Sequence, residues 1–118
     1  MPRYLSMIRI DEAAIGDRAP SPELMERMGG LIQEMQAAGV LVDTGGLKRT
    51  AESTRVHWSK GKATVTDGPF TESKEVVGGY AILKTRDKAE AIEWTQRFLR
   101  IHGNEFDLTC EVREIEEA

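Results

Sequence analysis

Val65-Thr66-Asp67-Gly68-Pro69-Phe70-Thr71-Glu72-Ser73-Lys74-Glu75, running on into Val76-Val77-Gly78-Gly79-Tyr80, separates two extended segments. Gly68 opens backbone angles closed to other residues, and Pro69 locks φ and removes an amide donor, so strand pairing must stop at Asp67. A carboxylate just before such a turn has two uses. It accepts hydrogen bonds from the backbone amides that follow, or it points into a cavity bordered by the strand ends. The stretch therefore marks a site without naming a reaction.

Upstream of the turn, residues 53–59 and 62–67 alternate in polarity and are joined through Lys60-Gly61, the pattern of a β-hairpin. A two-residue turn sets His57 opposite Thr64, Arg55 opposite Thr66, Val56 opposite Val65 and Trp58 opposite Ala63. One face is then polar and the other apolar. By the same parity Asp67 shares the face of Ala63 and Val65, away from His57. A His57-Asp67 dyad would need a bulge, a different turn, or the histidine of a second subunit.

Further out, residues 3–10 read as a strand with Tyr4, Ile8 and Ile10 on one face and Leu5 and Met7 on the other, a pattern that wants cover on both sides. Residues 11–19 read as a polar loop. Ser21 as N-cap and Pro22 at the first helical position open an amphipathic helix carrying Leu24, Met28, Leu31, Ile32 and Met35, which Gly39 stops. Gly29-Gly30 inside it predicts close packing on the sheet or a bend. A second strand begins at residues 40–42, Gly45-Gly46 breaks or bulges it, and residues 47–51 continue extended.

Beyond the turn, residues 78–85 form a strand with Tyr80 and Ile82 on one face and Ala81 and Leu83 on the other, where Gly79 permits a close approach of backbone or ligand. Asp87 with Glu90 predicts a capping box for a helix carrying Ala91, Trp94, Thr95, Phe98 and Leu99 and ending at Gly103. His102, at that end, reads as a partner of the helix dipole. Residues 108–115 form the last strand, with Leu108, Cys110 and Val112 inward. The order strand, helix, strands, helix, strand gives an α+β sandwich with an antiparallel sheet and an inserted hairpin, in one domain over residues 1–118.

Composition narrows the functional classes. A chain of 118 residues suits one core, since such a domain buries roughly two-thirds of its unfolded surface. A net charge of −4 disfavours direct nucleic-acid binding, which needs a basic surface to displace counterions from phosphates. The single Cys110 cannot form an intrachain disulfide, and neither a leader nor a membrane-spanning apolar run is present, so a soluble cytoplasmic protein with no membrane partner is expected. Alternation with Leu108 and Val112 reads Cys110 as a core thiol. Two scattered histidines and one cysteine give no metal-ligand spacing. Nucleotide-binding glycine loops and the Gly-x-Ser-x-Gly elbow are also missing, so no cofactor is expected.

Asp67-Gly68-Pro69-Phe70, followed by Glu72, Lys74-Glu75 and Gly78-Gly79-Tyr80, resembles the signature of the DGPF proteins, a branch of the YCII-related family. The likeness extends to the start at residues 4–10, to Gly39-Val40 and Gly45-Gly46-Leu47, and to Ala91-Ile92-Glu93-Trp94. It implies a ferredoxin-like α+β chain that dimerises into an α/β barrel. For related YCII proteins it implies an enzymatic role using an Asp and a His in a cleft, and for DGPF proteins an indirect association with sigma-factor-dependent transcription. Asp67 stands in the matching place, but no histidine falls inside the motif.

Two functional readings follow. In the first, a cofactor-free enzyme performs acid/base chemistry on a small polar or anionic substrate, with Asp67 and His57 as candidate catalytic residues and Arg55 as an anion partner. In the second, a homodimeric binding or regulatory module holds a small polar ligand without catalysis. Lys74 and Glu75, in the charged run of the signature, and Tyr80, which closes it, are candidate ligand contacts in either case.

Overall fold

The computed structural model of the chain describes residues 1–70 and 72–117. Strand β1 (Arg3–Ile10) lies in the middle of a four-stranded antiparallel sheet with β2 (Leu41–Gly46), β5 (Val76–Lys84) and β6 (Thr109–Glu114), in the order β2-β5-β1-β6. Strands β3 (Thr54–Ser59) and β4 (Lys62–Asp67) form a separate two-stranded ribbon inserted between β2 and β5. Helices α2 (Pro22–Ala37) and α3 (Lys88–His102) pack together over the sheet. The result is an antiparallel α+β architecture with no closed barrel among the described residues of one chain.

The helices cover one face. Tyr4, Leu83 and Ala91 are buried there beside Leu31, Met35 and Val40, with Ala81, Val112, Trp94 and Phe98 packed around them. Both helix starts follow from their capping residues: Ser21 Oγ accepts the Leu24 amide at 3.1 Å, and Asp87 Oδ1 accepts the Glu90 amide at 2.9 Å. In return Glu90 Oε1 accepts the Arg86 amide at 2.8 Å, so the box closes one residue earlier than the standard pattern.

Among the described residues no helix covers the opposite face. Strand pairing puts Leu5 beside Ile82 and Met7 beside Tyr80, with Arg9, Glu111 and Arg113 on the same side. Leu5, Met7, Tyr80 and Ile82 shelter one another only to half-burial. The molecule is 18 Å across its thinnest direction, the depth of one sheet and one helix layer.

Three local expectations are corrected. Residues 11–19 contain a helical turn, α1 (Glu12–Ile15), because Asp11 Oδ1 accepts the Ala14 amide at 3.1 Å. In β2 the irregularity falls at Val42, between Leu41 and Asp43, while Gly45 and Gly46 stay in register with β5; the chain then turns through a 3₁₀ segment at Thr50–Glu52 and does not continue extended. Gly29 and Gly30 lie on the exposed side of α2, where a Cβ would meet nothing within 4 Å, so neither serves close packing on the sheet. Gly79 does: a Cβ there would sit 3.1 Å from both the Gly45 carbonyl oxygen and Ile8 Cδ1.

Candidate functional site

The Asp-Gly-Pro turn is built on contact with a distant segment. Gly68 donates its amide to the Ser53 carbonyl at 2.8 Å, and a Cβ at Gly68 would lie 1.7 Å from the Thr50 carbonyl oxygen. Only glycine lets the ribbon's two ends close onto the 3₁₀ turn. The Gly68-Pro69 peptide is cis. Thr50 is in turn held by Glu12, whose carboxylate accepts the Thr50 hydroxyl at 2.5 Å and the Thr50 amide at 2.9 Å. Arg49 donates to the Gly16 carbonyl at 2.7 Å. Residues 12–16, 49–53 and 67–68 thus form one knot at the base of the ribbon.

The hairpin register is the one predicted: His57 faces Thr64, Arg55 faces Thr66, Val56 faces Val65, Trp58 faces Ala63, and Thr54 faces Asp67. Asp67 Oδ1 accepts the Thr54 hydroxyl at 2.9 Å, a bond across the ribbon's own base. Whether the Thr71 amide also reaches Asp67 falls outside the described residues. Asp67 and His57 are both exposed and point to opposite faces, so one chain does not bring them together.

Arg55 does something the sequence does not announce. Its guanidinium lies over the Phe70 ring, 3.7 Å from the centroid, and donates to Glu72 and, at 3.1 Å, to Ser73 Oγ. This stacked, forked arrangement suits arginine and not lysine. Its own backbone amide and then the Arg55 guanidinium hold the Glu72 carboxyl below the ordinary carboxylate value. Arg55 is therefore committed to fixing the loop after the turn.

That loop delivers Lys74 and Glu75 to the end of the sheet, where Val76 pairs with Ile10. There they border a cleft of about 400 Å³ together with Asp11, Arg18 and Asp107 and with the apolar side chains of Ile15 and Leu108. Arg18 is oriented by the Ile15 carbonyl at 3.2 Å, the Glu105 carbonyl at 3.3 Å and the Phe106 ring at 5.1 Å. Two cations and three carboxylates thus meet in one concave surface. Asp11, Arg18 and Asp107 were missed from the sequence. Each sits in a polar stretch with no periodic signal, and only the return of β6 alongside β1 gathers them.

Tyr80 lies elsewhere, on the bare sheet face, where its hydroxyl donates to Asp43 Oδ2 at 3.0 Å. Gly45 makes room for the ring, since a Cβ there would approach Tyr80 Cε1 to 3.1 Å. Arg9 and Glu111 pair across neighbouring strands at 3.4 Å on this same face. Strand parity was the signal for Arg9, which follows Leu5 and Met7. Cys110, on the helix side and half-buried, has its thiol pushed up by burial against a smaller opposing effect from Ser6, as suits a packing thiol. His102 is buried in the last turn of α3, with Nδ1 2.8 Å from the Phe98 carbonyl oxygen.

These features define an α+β protein with a bare sheet face, a protruding ribbon and a charged cleft beside the Asp-Gly-Pro turn. Residues 2–104 match the YCII-related domain, and the chain belongs to that family. Strand β6 falls beyond the matched residues, yet it pairs with β1 from Tyr4 to Arg9. No curated protein matches the chain. No helix among the described residues is long and apolar enough to cross a membrane, and none of their His, Cys, Asp and Glu side chains form a group of three or more able to hold a metal ion.

Proposed function

We propose that this protein is a homodimeric, non-catalytic binding module for a small polar ligand, in the DGPF branch of the YCII-related family and resident in the cytoplasm. The observation that carries the reading is the cleft in which Lys74 and Glu75 stand with Asp11, Arg18 and Asp107. Opposite charges lining one cleft beside apolar side chains suit a molecule with both an anionic and a cationic group, the anion toward Arg18 and Lys74 and the cation toward the carboxylates. The branch assignment is supported by the Asp67-Gly68-Pro69-Phe70 signature. The ferredoxin-like description is supported by the sheet order, with the ribbon as an insertion in a single domain. Pairing into an α/β barrel is supported by the uncovered face of Leu5, Met7, Tyr80 and Ile82, apolar at its centre and charged at its rim.

The rival reading, acid/base catalysis by Asp67 with His57 or Arg55, requires either a His57 from a second copy or an Arg55 released from its loop contacts. A thermal-shift screen of amino acids, small zwitterions and carboxylates separates the two. Binding abolished by Lys74→Ala and retained by Asp67→Asn is the expected result. Ligands lost on Asp67→Asn and indifferent to Lys74→Ala would overturn the binding assignment in favour of the turn carboxylate.

A further inference from the structure

The ribbon β3-β4 has every residue of both strands exposed, and Val56, Trp58 and Val65 on its apolar face are 69%, 70% and 66% accessible. A two-stranded hairpin is marginal in water without a third strand or a packed face. This one is held at its base, by the Thr54-Asp67 and Ser53-Gly68 bonds and by Arg55 clamped onto Phe70, Glu72 and Ser73. It is thus oriented but not covered. The radius of gyration, 16.1 Å, exceeds the about 13.5 Å of a compact domain of this length, in keeping with an arm that extends from the body.

We propose that this ribbon is an arm with which one copy of the chain grips a second, its Val56-Trp58-Val65 face laid on the partner with Trp58 as anchor. One observation points to a second copy as the occupant: the exposed apolar area set against what a stable dimer needs. The three exposed side chains offer roughly 400 Å² of apolar surface, about half of what each partner contributes to an ordinary stable interface. The bare sheet face supplies the remainder, and one association covers both. A reciprocal grip is the isologous contact that a two-fold dimer requires. The inference rests on the homodimer proposed above and adds a surface outside the paired sheets.

The test uses the full-length chain carrying Trp94→Phe, which leaves Trp58 as the single indole. Sedimentation gives the mass, and tryptophan emission with acrylamide quenching gives the exposure of Trp58 in the same samples. The expected result is a dimer in which Trp58 emits to the blue and is protected, shifting red as dilution dissociates it. Trp58→Ser in the otherwise unchanged chain should weaken the dimer about 30-fold or more. Because the site is exposed, the substitution should leave the circular dichroism spectrum unaltered. A dimer with Trp58 fully quenched, or one whose dissociation is unmoved by Trp58→Ser, overturns the arm and leaves the homodimer standing. A monomer at micromolar concentration overturns both, as would a monomer whose Trp58 is protected only on adding a different partner.

Discussion

Glu12 grips Thr50 through both carboxylate oxygens, one on the hydroxyl at 2.5 Å and one on the amide at 2.9 Å. The two residues belong to segments read as loop and strand from sequence. Their pairing fixes the 3₁₀ turn against which Gly68 closes, and so sets the exit angle of the ribbon.

The Thr50 hydroxyl, more than the Thr50 amide or Arg49, holds the Glu12 carboxyl below its ordinary value of 4.5, overcoming the opposing effect of its partial burial. A carboxyl lowered on folding adds stability above that ordinary value, and the contribution is lost as pH falls through the folded pKa. Glu12→Gln keeps one acceptor and loses the other, and should cost about 1 kcal/mol at neutral pH. The difference in urea stability between the two proteins should shrink as pH falls from 4.5 through the lowered folded pKa of Glu12. A pH-independent difference would show that the Glu12 contact does not depend on charge.

Gly68→Ala places a methyl 1.7 Å from a backbone oxygen that no side-chain movement can clear. It should destabilise by about 2–4 kcal/mol, or detach the ribbon base from residues 50–53. Denaturant midpoints together with amide exchange at Gly68 distinguish the two outcomes. Unchanged values in both would show the turn to be free of Thr50.

Gly30→Ala should do the reverse. The site is helical, exposed and open, so the added methyl meets nothing and the helix gains about 1 kcal/mol in propensity. A raised urea midpoint with unchanged slope is the expected reading. A lowered one would mean that this side of α2 is covered in solution.

Both tyrosines should titrate above their ordinary value of 10.0. Tyr4 is raised first by burial and then by Glu114, and Tyr80 first by its hydrogen bond to Asp43 and then by that carboxylate's charge. An acidic group raised on folding contributes stability below its unfolded pKa, which is lost as pH rises through the folded value. Phenolate absorbance should therefore appear at higher pH in the native protein than in the unfolded chain. Asp43→Asn should bring one of the two transitions down toward the ordinary value, and an unaffected titration would separate Tyr80 from Asp43.

Arg55→Lys tests whether the signature loop is set by the guanidinium. A lysine can neither stack on Phe70 nor fork between Glu72 and Ser73. Amide exchange in residues 72–75 should rise several-fold while that of β1 and β5 stays fixed. Equal exchange in both proteins would remove Arg55 from the positioning of Lys74 and Glu75.

Much of this protein is written locally. The alternation in residues 53–67 with Lys60-Gly61 between was enough for the hairpin register, because side-chain period and turn length fix cross-strand partners without reference to the rest of the chain. Ser21 and Asp87 announced their helices because a cap is satisfied by amides within three residues. The two-sided apolar pattern of β1 asked for cover on both sides, and the helices supply it on one. Tertiary structure decided the rest. It detached the ribbon from the main sheet, turned Gly29-Gly30 outward, assigned Arg55 to a loop, and drew Asp11, Arg18 and Asp107 around Lys74 and Glu75. Pairings across tens of residues depend on which strand edges and loop ends meet in space, and no local period in the sequence carries that information.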